Sequence, residues 1–170
     1  ANEFWQAALH YSHMTGYQAS MSDFDFIAKI YENVLGRPNA AILDSAGVQF
    51  WTDKMQTESL SHGEAVREVL KGAYTYIESK PDDSVSLYVE QLLENRKDIG
   101  MIFGTQYYSG NLAGDAAIQA GIDVLNRIDQ HRESFEKTAL AIYNHTLQDL
   151  PEIELVGTNS MAALTDTLDL

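Results

Sequence analysis

Between its three prolines, Pro38, Pro81 and Pro151, this sequence repeats apolar residues at three- and four-residue steps, and polar–apolar alternation is nearly missing before Pro151. That spacing collects apolar side chains on one face of an α-helix and argues against half-buried strands. Proline inside a helix removes a hydrogen bond and clashes with the preceding turn, so its scarcity leaves room for many helices. The pattern predicts an all-α fold: a single compact bundle of six to eight helices over residues 1–150. Residues 151–170 are expected to be a short extended tail, a linker or the start of a following module.

Local signals divide the chain further. A first helix is expected from Asn2 to Met14, with Phe4, Trp5, Ala8, Leu9 and Met14 apolar and Gly16 as its stop. Ser22 reads as the cap of a second helix carrying Phe26, Ile27, Ile30, Tyr31 and Val34, ended by Leu35-Gly36-Arg37-Pro38. Asp44 is expected to cap a third, presenting Val48, Trp51 and Met55. Ser61-His62-Gly63-Glu64 has the form of a capping box, ahead of a helix with Val66, Val69, Leu70 and Ala73 turned inward. Ser84 reads as the cap of a helix to Lys97, with Val85, Tyr88, Val89, Leu92 and Leu93 apolar. Asp98 to Tyr108 is expected to be helical despite Gly100 and Gly104, followed by a loop from Ser109 to Gly114. Helices over Asp115–Ile128 and Arg132–Leu147 complete the domain.

Charge then narrows the function. Twenty-five acidic residues stand against 11 basic ones, a formal net charge of −14. Phosphates attract basic patches, so nucleic acid and anionic membrane surfaces are poor partners. No apolar run approaches the roughly 18 residues of a membrane span, so membrane insertion is not expected. With 45% apolar residues, disorder is excluded as the general state. Cysteine is absent, which removes disulfides, thiolate nucleophiles and Cys-ligated metal centres. That absence suits a cytosolic protein and a bacterial exported protein equally. The chain begins at Ala1 with no basic and apolar leader behind it, and is expected to be a processed chain or a fragment.

Candidate chemistry is sparse. His10 and His13 stand three apart on an expected helix, but two imidazoles without further ligands make a weak metal site. No Glu lies three residues before any histidine, so the di-iron bundle signature is missing. Gly-rich phosphate loops, G-x-S-x-G and H-E-x-x-H are missing as well. His145 and Asp149 are four apart with no nucleophile nearby, and read as a surface helix pair. An enzyme is not expected. Calcium ligation would fall on the acidic loop residues Asp82 and Asp83, or on Asn111 with Asp115, although no EF-hand pattern occurs. Asp23 and Asp25 read as acids favouring a helix start. Tyr107, Tyr108 and Asn111 are the candidate ligand-binding residues, with Tyr74 and Tyr76 as further aromatics for a sugar or peptide groove.

One stretch is more specific. Phe26-Ile27-x-x-Ile30-Tyr31-x-Asn33-Val34-Leu35-Gly36-Arg37, followed by Asp44-Ser45-Ala46-Gly47-Val48-Gln49-Phe50-Trp51, resembles the signature of the family called domain of unknown function 4214. Ser61 to Val66, with Val69 and Leu70, resembles that family's second half, so the likeness covers about residues 22–74. The spacer Pro38 to Leu43 is longer than the family's usual one. Each motif residue can be given a structural role. Tyr31 and Trp51 are anchors with polar tips, and Leu35 and Gly36 form a helix end. Arg37 serves that end's carbonyls, Asp44 is the next cap, and Gly47 stands in the Asp-x-x-Gly step. A similar run occurs in phycobilisome linker domains, but those are typically basic, a poor match for a chain of −14.

The resemblance implies a module of a large secreted or cell-surface bacterial protein of surface-layer or adhesin type, found beside calcium-binding repeats. The expected function is therefore non-catalytic: assembly or attachment through self-association or other surface proteins, linked to calcium. The alternative is a module that binds a cell-surface glycan or a peptide.

Overall fold

The computed structural model describes residues 2–107, 114–147 and 150. Among them the fold is all-α, as expected, with no strand. The helices are α1 (Asn2–His10), α2 (Ser12–Thr15), α3 (Asp23–Asn33), α4 (Ala40–Leu43), α5 (Ser45–Thr57), α6 (His62–Ser79) and α7 (Ser84–Ile102). A π-helical turn (Phe103–Tyr107), α8 (Asp115–Asn126) and α9 (Arg132–Tyr143) follow. The chain divides into two compact units, Ala1–Leu87 and Tyr88–Leu170, with the boundary inside α7. Helical periodicity says which face of a helix is buried and not which core it joins, so the reading of a single bundle does not anticipate this division.

In the first unit α3 is central. The Ser22 hydroxyl accepts from the Asp25 N–H, as its cap position predicts, and Phe26, Ile27 and Ile30 lose all solvent exposure. Helices α4, α5 and α6 pack on α3, and α1 packs on α6. The expected first helix breaks at Tyr11, where Thr15 Oγ1 donates to the Ala8 carbonyl at 2.8 Å, and Gly16 closes the short second piece. The capping box of α6 is present in both directions between Ser61 and Glu64. On α6 the fully buried apolar residues are Ala65, Val69 and Ile77, whereas Val66, Leu70 and Ala73 are half-buried.

Two caps differ from expectation. Asp44 precedes α5 but its side chain does not cap it, because the carboxylate is held by Arg37 instead. At α7 the capping group is Asp83 rather than Ser84: its Oδ2 accepts from the N–H groups of Val85 at 3.0 Å and Ser86 at 3.2 Å. A carboxylate both accepts more strongly than a hydroxyl and complements the positive end of the helix.

The second unit gathers Ile99, Phe103, Val124, Ile128, Phe135, Ala139, Ile142 and Leu147 into one apolar cluster. The buried Asn95 amide, on α7, donates to the carbonyls of Asp129 at 3.1 Å and His131 at 3.4 Å, which fixes the turn between α8 and α9. In that turn Asp129 accepts from the Ser134 hydroxyl at 2.6 Å and the His131 N–H at 2.8 Å. Burial pushes the Asp129 carboxyl upward, and these bonds together with the His131 side chain, 3.2 Å from Asp129 Oδ2, outweigh it and leave it below its ordinary value. α9 stops at Tyr143, short of the expected Leu147, and His145 takes a left-handed conformation just beyond it. The tail expected from 151 to 170 lies outside the described residues.

Candidate functional site

The motif residues converge where α3, α5 and α6 meet. Gly36, at φ +63°, adopts the left-handed turn that ends α3, and the Arg37 N–H donates to the Tyr31 carbonyl at 3.0 Å. Only the backbone of Arg37 serves the helix end. Its guanidinium turns away, and Nη1 meets Asp44 Oδ2 at 2.8 Å, so the expected side-chain bond to helix carbonyls is replaced by an ion pair. Both partners of that pair are about one-quarter exposed. Leu35 is buried beside this turn.

Tyr31 is buried, and the Trp51 side chain is a polar neighbour of its phenol. The two anchors with polar tips are thus neighbours across α3 and α5. Burial first, and the Asp44 carboxylate second, push the Tyr31 phenol up to about 12, against the Arg37 charge and the polar Trp51 side chain. Gly47 fits because a Cβ there would lie 3.0 Å from both Asp44 Oδ1 and the Tyr31 hydroxyl. The far side of Trp51 rests on α6, where a Cβ on Gly72 would collide with Cζ2 and lie 2.9 Å from Cη2. Lys54 Nζ stands 5.1 Å from the Trp51 ring centroid and 3.8 Å from Glu68 on α6. Gly72 and Lys54 carry no signature in sequence, since their role depends on where Trp51 lands.

A second cluster joins α1 to the same unit. The His62 ring lies flat on Trp5, with centroids 4.0 Å apart and planes 4° from parallel, and meets Phe26 edge-on at 4.6 Å. Trp5 also stands edge-on to Phe26 and Tyr17. Burial holds the His62 imidazole below its ordinary value, with the Asp23 carboxylate acting the other way. The pairing of Trp5 with His62 is not visible in sequence, although an aromatic pair Phe4-Trp5 on an otherwise short helix is a signal that α1 docks.

The remaining candidates are scattered. Asp82 is exposed, while Asp83 is committed to the start of α7. His10 and His13 are exposed on separate helices, and no group of three or more His, Asp or Glu able to hold a metal occurs among the described residues. Asp25 accepts from Ser22, and Asp23 from Gln56 at 3.1 Å, in keeping with the first turn of α3. Tyr74 and Tyr76 are both exposed, but two residues apart on one helix they point to different sides and do not line a common groove. Tyr108, Asn111, Asp149 and the side chain of Tyr107 lie outside the described residues. No helix among the described residues is long and apolar enough to cross a membrane.

Residues 3–73 match the model of a protein family described as Domain of unknown function (DUF4214). The match reaches back beyond residue 22, taking in α1 and α2, which fits the docking of Trp5 on His62. No curated protein and no solved structure matches the chain.

Proposed function

We propose, from the premise that residues 3–73 belong to the DUF4214 family, that this chain is a non-catalytic interaction module of a large secreted or cell-surface bacterial protein. Its work is assembly or attachment, of the surface-layer or adhesin type. The observation that carries this reading is how the motif's polar groups are used. Arg37 and Asp44 neutralise each other at 2.8 Å, Tyr31 is buried, and a Cβ on Gly47 would crowd both Asp44 and the Tyr31 hydroxyl, so the most specific residues of the chain are committed to one another. That arrangement supports a rigid packing device better than a reacting centre, where a nucleophile or base is aimed at open space.

The acid excess supports a link to calcium. Like copies of a chain at −14 repel, and a divalent cation between surface carboxylates such as Asp82 relieves that repulsion. Light scattering tests both parts. The particle mass is expected to rise with protein concentration and to rise further in calcium, returning on chelation. A mass indifferent to calcium removes the calcium link, and a monomer at every concentration removes self-association.

A further inference from the structure

We infer that α1 is an acid-released latch: protonation of His62 loosens its stack on Trp5 and frees residues 2–10 from α3 and α6. The geometry supplies each part. α1 packs on α6 with Trp5 lying flat on His62, Phe26 closing the edge of both rings, and Tyr17 edge-on to Trp5 and Phe4. His62 is the first residue of α6, where the helix dipole opposes a positive charge.

The charged groups on the surrounding elements set the balance. Asp23 on α3 acts on His62 and favours the imidazolium. Its carboxylate also accepts from Gln56 of α5, while Asp25 is tied to Ser22 and Glu64 to Ser61. On α5, Lys54 is turned to Glu68 of α6, and on α1 Glu3 is exposed. The ring faces of Trp5 and Phe26 attract a cation, but burial costs it more, and the net effect lies below the ordinary 6.5. A base whose folded value is depressed stabilises the closed state fully above 6.5. That contribution is lost as the pH falls from 6.5 through the lower folded value.

Hydrogen exchange of the α1 amides in the full chain, corrected for intrinsic rates, reads the latch at about pH 7.5 and about pH 5, which bracket histidine titration. Protection of α1 is expected to drop several-fold at the acid end while α9 keeps its own. The variant His62→Phe keeps a ring on Trp5 and is expected to hold α1 protected at both values. A titration of the His62 ring protons by NMR in the unaltered chain is independent of whether that variant folds, and should place its midpoint below 6.5. The inference is overturned by α1 protection that is indifferent to pH, by an equal loss in α9, by pH dependence surviving in His62→Phe, or by a midpoint at or above 6.5.

Discussion

In residues 1–87 the fastening groups are paired one to one. Arg37 meets Asp44, Trp51 meets Tyr31 and the bare surface of Gly72, and Trp5 meets His62. In residues 88–147 the core is a cluster of Ile, Val, Phe and Ala side chains, with Asn95 as the principal polar tie to a turn. The two regions bury comparable kinds of apolar residue and differ in how interchangeable their parts are. An apolar cluster of this kind can be refilled in many ways if its volume is kept, whereas a guanidinium facing a carboxylate, or an indole on a missing Cβ, admits few substitutes. Pairing within the motif, as at Arg37 and Asp44, leaves a spacing signature in the sequence, and the apolar packing of the second region does not. The family match falls on residues 3–73, within the first region.

Five substitutions test that contrast and the helix cap at its border, beginning with the largest effect. Phe26→Ala removes a ring with no exposure and should destabilise the first unit by about 3–5 kcal/mol. Hydrogen exchange read separately for α3 and α9 checks whether the loss stays there; equal loss in both would merge the two regions into one cooperative body. Next, Gly72→Ala should cost about 1–3 kcal/mol by forcing Trp51 from its place. The volume-conserving Ile142→Leu in the fully buried second core should cost less than about 1.5 kcal/mol. Denaturant midpoints in the reverse order would erase the contrast between specific and refillable packing. The smallest effect separates two neighbouring residues. Asp83→Ala should lower stability by about 1 kcal/mol through loss of the α7 cap, and Ser84→Ala should change it little. Equal thermal shifts for the two would return the cap to Ser84.

What was legible in the sequence follows the same division. Ser22, Gly36 and the Ser61–Glu64 box are local devices whose partners lie within a turn, and each stands where the pattern predicts. Asp44 reads as a cap by the same local logic, but Arg37 competes for its carboxylate and wins, since an ion pair at 2.8 Å outweighs a lone cap bond. The motif residues Tyr31, Gly47 and Trp51 are readable as a set, yet their mutual packing is not, because a polar tip in sequence does not name its neighbour. Contacts between residues far apart in the chain stay hidden altogether. Trp5 on His62 places α1 inside the domain that the motif alone begins near residue 22, and Gly72 acquires meaning only under the Trp51 ring.

Both tryptophans of the 170-residue chain, Trp5 and Trp51, sit in the first unit, one against an imidazole and the other under a lysine. Intrinsic indole emission therefore originates wholly in residues 1–87. A melting curve recorded by that emission has both its reporters in the paired half, and its offset from a curve recorded by far-ultraviolet dichroism measures how independently the other half comes apart.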